Sequence, residues 1–408
     1  MHLIQRRSDA PPVSSAAYAA LYAGFVIAGV ATTLMGPLLP VLIARWTLND
    51  QRAGLFFTAQ FCGSMAGVVS LNWMMKRGYR LTFVCGFLLI ASGVAGLKFG
   101  QYMLALASAG VLGFGLGQCL SATNLWVAEV ARDRVAALSI LNLMWGIGAV
   151  ASAPLVMLAQ LHGTIANLLY GIAACSVVTS AVLAALRLEP QTTAPTQGPG
   201  IGSTNRISTR SAISLGALFF LYIGSENSVA GWVASLTKRM NAVSGDSSAL
   251  APMFFWAGLL AGRALVPLIP LRRSERKLFD VALLLAAIGI SLLLTSTRFI
   301  AVAVSVTAAG LGMAAIYPIL IAWLVKAYGE RSRQTGSIMF ALASMGGATM
   351  PWMVGAISTR VGSLRAGLLI PLAGCAAMFI LIIIMTEPVF RGTDKLKTQF
   401  PLPTSKRA

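Results

Sequence analysis

Twelve long apolar runs constrain the fold of this chain more than any other feature of its sequence. Each run holds the roughly 20 residues that a helix needs to cross about 30 Å of hydrocarbon. Lipid offers no water to unpaired backbone groups, so runs of this length predict helices rather than barrel strands. We therefore expect an all-α membrane protein with twelve spans, numbered in chain order, at about 16–44, 53–75, 81–99, 102–128, 136–160, 165–186, 212–236, 249–270, 278–296, 299–326, 335–359 and 365–385.

The composition excludes the classes of protein that work in water. Hydrophobic residues make up 57% of the chain and charged residues only 11%, whereas soluble domains carry about 25% charged residues. The five cysteines are scattered within the predicted spans, which is typical of neither a disulfide framework nor a zinc site. The two histidines, His2 and His162, lie outside the spans. We therefore expect no cofactor, no metal and no catalytic constellation of an enzyme.

The formal charge of +19 is distributed in a way that indicates membrane topology. More than two thirds of the 31 Lys and Arg residues lie in the two terminal tails or in the connections on the same side as those tails. Such an excess marks the cytoplasmic side of membrane proteins. The sequence thus predicts a multi-pass protein of the bacterial inner membrane with both termini in the cytoplasm. It does not indicate nucleic-acid binding.

An internal duplication divides the predicted spans into two sets of six. A segment rich in Pro, Thr, Ser and Gly follows span 6, with the composition of a flexible linker. Short matches recur at nearly one offset on either side of it. They are Leu21–Gly24 with Leu221–Gly224, Ala53, Phe56, Phe57 and Ala59 with Ala251, Phe254, Phe255 and Ala257, and Ser139, Ile140 and Gly148 with Ser337, Ile338 and Gly346. We expect six-helix bundles at 1–186 and 211–408, the second with a short cytoplasmic tail, joined by a cytoplasmic linker at 187–210.

Two six-helix repeats joined by a linker resemble a transporter of the major facilitator superfamily. Finer features resemble its fucose–galactose–glucose/proton symporter branch. They are Gly36–Pro40, Gly113–Gly117 with Asn124, Tyr222–Glu226, Gly262 with Arg263, and Met345–Pro351. The resemblance implies a monomeric secondary transporter in the lipid bilayer, which moves a small molecule by alternating access and can use protons as the coupling ion.

The loop between spans 2 and 3 carries part of that superfamily's gating motif. Lys76, Gly78 and Arg80 keep the pattern, while Leu71 and Met75 stand where the family usually has Gly and Asp. Pairing of that Asp across the halves is therefore not expected here. The membrane-embedded acids that the resemblance leads one to seek in spans 1 and 4 are also absent.

Two ionisable residues lie well inside the predicted spans, where charge is costly and usually functional. Glu226 falls near mid-depth in span 7, and Arg263 about two turns from the cytoplasmic end of span 8. Desolvation disfavours the carboxylate anion, so Glu226 is a candidate for loading and releasing a coupling proton. Arg263 could pair with Glu226, bind an anionic substrate or extend toward the interface.

Uncharged polar and aromatic residues supply the candidate substrate contacts. Amides both donate and accept hydrogen bonds, and indole rings can stack on a sugar face. Such amides also join helices, so some of them are expected to be structural. The candidates are Gln60, Gln118, Asn124, Asn142, Asn227, Trp145 and Trp256. We expect Trp46 and Trp232 in the interfacial belt. Gly63, Gly67, Gly258 and Gly262 are expected to let helices approach closely and slide, and their equivalent positions in the two halves fit a gating interface.

Two functions remain open from the sequence. The first is a proton-coupled symporter of a small polar solute, with a monosaccharide as the first hypothesis, and it rests on Glu226 and the amides. The alternative is an exporter or facilitator of an organic anion or apolar drug-like compound, and it rests on Arg263 and the missing acids. A membrane enzyme or sensor is disfavoured because the chain has no catalytic constellation and no appended soluble domain.

Overall fold

A computed structural model describes residues 15–131, 133–186, 188, 209–240, 247–266, 275–328 and 332–385 of the chain. Most of the predicted linker at 187–210 lies outside these residues. The described part contains twelve helical segments that are long and apolar enough to cross a membrane. The predicted all-α architecture of twelve spans is confirmed.

Eight of the spans are single helices, and four combine two short elements. The single helices are span 2 (Asp50–Met75), span 3 (Tyr79–Gly96), span 4 (Tyr102–Val130), span 5 (Arg134–Leu161), span 6 (Ile165–Ala185), span 7 (Thr209–Lys238), span 9 (Glu275–Thr295) and span 11 (Ser332–Val361). The composite spans are span 1 (Ser15–Thr33 and Met35–Trp46), span 8 (Ser247–Leu250 and Ala251–Leu265), span 10 (Phe299–Ala314 and Ile316–Tyr328) and span 12 (Leu364–Gly367 and Leu369–Ile384).

Prolines account for the interruptions of spans 1, 10 and 12. Proline has no backbone N–H, so it leaves the carbonyl four residues earlier without its helical partner. The first helix of each of these spans ends four residues before a proline, at Thr33, Ala314 and Gly367. The responsible residues are Pro37, Pro318 and Pro371. The local sequence therefore explains these three breaks.

The two sets of six spans pack in equivalent ways. In the first set, span 4 packs against spans 2 and 3, span 1 against span 5, and span 3 against span 6. In the second set, span 10 packs against spans 8 and 9, span 7 against span 11, and span 9 against span 12. The matched glycines follow this pattern, since Gly148 touches Val26 of span 1 and Gly346 touches Phe220 of span 7.

Four glycines of spans 2 and 8 allow the close helix approach that was expected of them, but within each set of spans. A Cβ at Gly63 or Gly67 would lie 2.0 or 2.2 Å from a carbonyl oxygen of span 4. Gly258 and Gly262 are packed in the same way against span 10. These glycines let helices approach closely within one set of spans, so they build each half rather than the interface between the halves.

The most extensive contacts between the two sets in the described part of the chain join span 2 with 11, span 5 with 8, and span 1 with 7. We call the end of the bundle that holds Ser15 and Met385 the proximal end and the opposite end the distal end. Span 2 begins and spans 7 and 11 end at the distal end. A side-chain hydrogen bond from Thr58 Oγ1 to the Ala348 carbonyl, 2.7 Å long, joins spans 2 and 11 farther inside the bundle.

Candidate functional site

Glu226 lies near the middle of span 7 and is 5% exposed. Its Oε2 accepts a hydrogen bond from the hydroxyl of Tyr222, one helical turn earlier. Residues four apart lie on the same face of a helix, so the sequence itself brings these two groups together. A buried carboxylate needs such a donor, because an unpaired charge in this environment is costly.

Arg263 approaches this pair from span 8 without closing an ion pair. Its guanidinium interacts electrostatically with Glu226 and with the Tyr222 hydroxyl. The ion pairs within 4 Å in the described part of the chain are Arg239 with Asp50 and Lys326 with Glu275, and Glu226 with Arg263 is not among them. Arg263 Nε is buried without a hydrogen-bond partner. The site thus holds a carboxyl group and a guanidinium that are near each other but do not form an ion pair within 4 Å.

Aromatic rings from both sets of spans surround these charges. Trp145 of span 5 and Trp256 of span 8 meet edge to face, with ring centroids 5.6 Å apart. The Arg263 guanidinium lies 6.0 Å from the centre of the Trp145 ring. Tyr317 of span 10 stacks on Tyr222 at 5.8 Å. We call this group the midspan cluster, and it comprises Trp145, Tyr222, Glu226, Trp256, Arg263 and Tyr317.

The predicted amides fall into two groups. Gln60 donates to the Thr32 carbonyl at 2.9 Å and Gln118 to the Ser70 hydroxyl at 3.0 Å, so both join neighbouring helices of the first six spans. Each of the three asparagines instead donates to a carbonyl one turn earlier in its own helix. The bonds measure 2.7 Å for Asn124, 2.8 Å for Asn142 and 2.9 Å for Asn227. An asparagine anchored in this way can present its side-chain oxygen to a donor on a solute.

The residues of the predicted gating loop lie at the proximal end. Lys76 and Arg80 are exposed there, on either side of the turn between spans 2 and 3. Gly78 has φ of 99°, which a side chain would strain, and the next residue begins span 3. The glycine of this motif therefore serves the turn itself.

The expected interfacial position of Trp232 is wrong. Its side chain is fully buried, and Nε1 donates to the Pro351 carbonyl of span 11 at 2.8 Å. Trp46 is half-buried and donates to the Gly100 carbonyl at 2.8 Å. A hydropathy pattern gives the depth of a tryptophan but not the face of the helix that carries it, which is why Trp232 was misplaced.

Sequence reasoning missed Tyr222 and Tyr317 as members of the site. The spacing of four between Tyr222 and Glu226 was a usable signal. Tyr317 had none, because its position beside Tyr222 depends on how span 10 packs against span 7. Among the described residues, no three His, Cys, Asp or Glu side chains gather as metal ligands would.

Comparison with known proteins decides the family. The sequence profile of the Major Facilitator Superfamily matches residues 21–279. The chain belongs to the Major Facilitator Superfamily. It is therefore a multi-pass membrane transporter of small molecules and not an enzyme, as the sequence predicted.

Individual relatives agree with this membership. The glucose/mannose transporter GlcP of Bacillus subtilis is 26% identical over 362 residues, which cover 82% of this chain and 86% of GlcP. The crystal structure of the superfamily transporter FucP in its outward conformation superposes with a TM-score of 0.61 at 19% identity. It covers 91% of this chain and 99% of FucP. A POT family transporter in complex with 5-aminolevulinic acid gives 0.75 at 12% identity, with 90% and 96% covered. Such likenesses show the fold.

Proposed function

We propose that this transporter is a proton-coupled carrier of a small polar solute, with a monosaccharide as the first class to test. The observation that carries the proposal is the buried Glu226 carboxyl near mid-depth, bonded to Tyr222 and not locked by an arginine. Superfamily carriers bind substrate near mid-depth, between their repeats. The relation to GlcP, a glucose/mannose transporter, favours a sugar.

The proposed cycle uses Glu226 as the proton site. On the side where the site is open to water, the carboxyl takes up a proton, and the solute binds beside it. Protonation removes the cost of enclosing the carboxylate anion away from water. After the two bundles, 1–186 and 211–408, have rocked about their interface, the solute and the proton leave on the other side. The linker at 187–210 keeps the bundles together.

The proposal gives direct and supporting roles to the polar residues. Direct contacts with the solute come from Asn142, Asn227, Trp145 and Trp256. Asn124, in the proximal half of span 4, adds a further contact. Gln60 and Gln118 hold the helices that carry these contacts. Lys76, Gly78 and Arg80 shape the proximal loop that follows the rocking of span 2.

The orientation and setting are also part of the proposal. Basic residues are concentrated in the proximal connections and tails, so the proximal end faces the cytoplasm of a bacterial cell. The protein works as a monomer in the inner membrane, with the lipid bilayer around it.

Uptake by proteoliposomes tests this function. Labelled glucose, mannose and galactose are offered with and without an inward proton gradient, to the wild type and to Glu226→Gln. We expect stimulation by the gradient in the wild type and its loss in Glu226→Gln. Asp280→Asn is the matched control, since Asp280 is a half-buried carboxyl within span 9. Sugar uptake that ignores both the gradient and the mutation would contradict the proposal.

One observation favours a second candidate function, the facilitated movement or export of an organic anion. The Arg263 Nε is buried without a hydrogen-bond partner, and its guanidinium forms no ion pair within 4 Å in the described part of the chain. A carboxylate on the solute could satisfy it. Competition by organic acids with no effect of sugars, abolished in Arg263→Gln, would establish this alternative in place of the first.

A further inference from the structure

A second charged cluster joins the two sets of spans at the distal end. Asp50 is the first residue of the span 2 helix, Arg239 follows the last residue of span 7, and Ser358 lies in the last turn of span 11. Arg239 donates to the Asp50 carboxylate through Nη1, at 2.8 Å, and through Nη2. The Ser358 hydroxyl donates to Asp50 Oδ2 at 2.5 Å. We call these three residues the distal cluster.

The burial of these groups shows which one depends on the contact. The Asp50 side chain is 8% exposed and that of Arg239 is 44% exposed. When the distal ends part, Arg239 is taken up readily by water. Asp50 loses both donors from the other set of spans at once, which is costly for a buried carboxylate. The start of the span 2 helix still stabilises the anion when those donors leave, so the separation is reversible.

Close backbone contact between spans 2 and 11 lies directly beside the ion pair. A Cβ at Gly355 would lie 2.2 Å from the Asp50 carbonyl oxygen, and one at Gly54 would lie 2.9 Å from Trp352 Cα. The Gln51 backbone N–H donates to Thr359 Oγ1 at 2.9 Å. No space remains between these two helices here, so nothing the size of a solute can pass between them.

The internal repeat shows that the charge belongs to one of two equivalent contacts. The offset of 198 residues places Ser248 at the position of Asp50 and Gln160 at the position of Ser358. These two residues lie at the start of span 8 and the end of span 5, which pack against each other. The repeat therefore has an uncharged contact where spans 2 and 11 have a charged one.

At the proximal end, an apolar residue stands where an acidic one could have formed a charged contact. Met75 occupies the position at which the superfamily's loop usually carries an acidic residue. The second ion pair in the described part of the chain, Lys326 with Glu275, joins spans 10 and 9 within one set. An ionic contact between the two sets is thus found at the distal end.

We infer that Asp50, Arg239 and Ser358 form the distal gate of the transport cycle. With the contacts made, the distal end is closed. For a solute to enter or leave there, Arg239 and Ser358 must separate from Asp50. The inference rests on the proposed function only in that the two sets of spans rock during transport, and it does not depend on which solute is carried.

Distances between spin labels test the gate in the full chain, reconstituted in lipid nanodiscs without solute. The labels are attached at Ala44→Cys of span 1 and Val361→Cys of span 11, two exposed distal positions, after replacement of the five native cysteines. Pulsed electron–electron double resonance then gives the distribution of distances between the two labels. We expect one short distance in the wild type. In Asp50→Asn and in Arg239→Gln a longer component should grow roughly five- to tenfold, because the closed state loses its ion pair. The increase is no larger because solvent partly screens Arg239.

Glu275→Gln is the matched control, since it breaks an ion pair that lies within one set of spans. Its distance distribution should equal that of the wild type. An unchanged distribution in both Asp50→Asn and Arg239→Gln would overturn the inference. An equal shift in Glu275→Gln would also overturn it, because the effect would then not be specific to the distal gate.

Ionic strength gives a second measurement, in which the ion pair is weakened in the wild type itself. Raising the salt from about 0.1 to 1 M shortens the Debye length from about 10 to 3 Å. The longer component should then increase in the wild type and stay constant in Asp50→Asn. A wild-type distribution indifferent to salt would contradict an ionic gate. Because neither measurement uses a solute, failure of sugar uptake and failure of the gate remain distinguishable.

Discussion

The midspan cluster and the distal cluster use the same three chemical groups in opposite ways. Each combines a buried carboxylate, a hydroxyl that donates to it and an arginine. In the distal cluster the arginine is bonded directly to the carboxylate, and the donors come from the other set of spans. In the midspan cluster all three groups belong to spans 7 and 8, and the arginine stays beyond ion-pair distance.

The comparison shows how geometry divides the work between the two carboxylates. An arginine in direct contact ties Asp50 to another part of the molecule. Under the proposed function, a hydroxyl and a more distant arginine leave Glu226 able to exchange a proton with water or solute. On this account Asp50 holds two bundles together, while Glu226 couples proton movement to their rocking.

The largest expected effect separates coupling from transport at Glu226. In Glu226→Gln, a proton gradient of one unit should no longer support accumulation, which in a one-proton symporter can reach roughly tenfold. Exchange of labelled for unlabelled solute should remain within about threefold of the wild type, since it needs no net proton movement. Both are measured in proteoliposomes. Equal loss of accumulation and exchange would mean that Glu226 supports binding rather than coupling.

A steric change at the distal end should act almost as strongly without touching any charge. Gly54→Val places side-chain atoms against the backbone of span 11, and such overpacking costs about 1–3 kcal/mol. The distal-open component between the spin labels should therefore increase by about tenfold. Gly336→Ala in span 11 is the control, because its nearest neighbour would be 3.6 Å away. A distal end that stays closed in Gly54→Val would show that spans 2 and 11 adjust locally around the added side chain without separating.

Removing the hydroxyl of the midspan cluster should have an intermediate effect. Tyr222→Phe removes the donor to Glu226, and a hydrogen bond of this kind contributes about 1 kcal/mol net. Gradient-driven uptake should fall roughly fivefold, while exchange changes little. Tyr317→Phe keeps the stacked ring next to Tyr222 and should stay within about twofold of the wild type. A larger loss in Tyr317→Phe than in Tyr222→Phe would contradict the assigned order.

The smallest expected effect concerns stability. A double-mutant cycle on Asp50→Asn and Arg239→Gln, read by thermal unfolding in detergent, should give a coupling energy of about 1 kcal/mol or less. The Arg239 side chain is 44% exposed, so solvent screens the pair. A coupling of several kcal/mol would mean that the distal cluster is needed for folding and not only for gating.

Hydropathy predicted the spans because each had to fill the bilayer. The last span was expected at 365–385, and its helices run from Leu364 to Ile384. The break in span 12 also follows from sequence, through Pro371. Glu226 was identified because a lone acid in an apolar run has few explanations.

The contacts that could not be predicted are those that depend on which helices pack against each other. Asp50 and Arg239 are 189 residues apart, and each is ordinary at a helix end. Trp232 and Trp46 have the same kind of position along a span, yet only the packing of span 11 buries Trp232. Residue type alone grouped Gln60 and Gln118 with the asparagines. Their hydrogen bonds to spans 1 and 2 show that these two glutamines join helices instead. Such distinctions are properties of tertiary contact, which one sequence does not contain.

Solute-driven proton movement is the decisive test of Glu226 as the proton site. Proteoliposomes containing a pH-sensitive dye receive an inward glucose gradient, with no proton gradient imposed, and the internal pH is recorded. We expect internal acidification with the wild type and with Asp50→Asn, at different rates, and none with Glu226→Gln. Acidification by Glu226→Gln equal to that of the wild type would contradict the assignment of the proton site to Glu226.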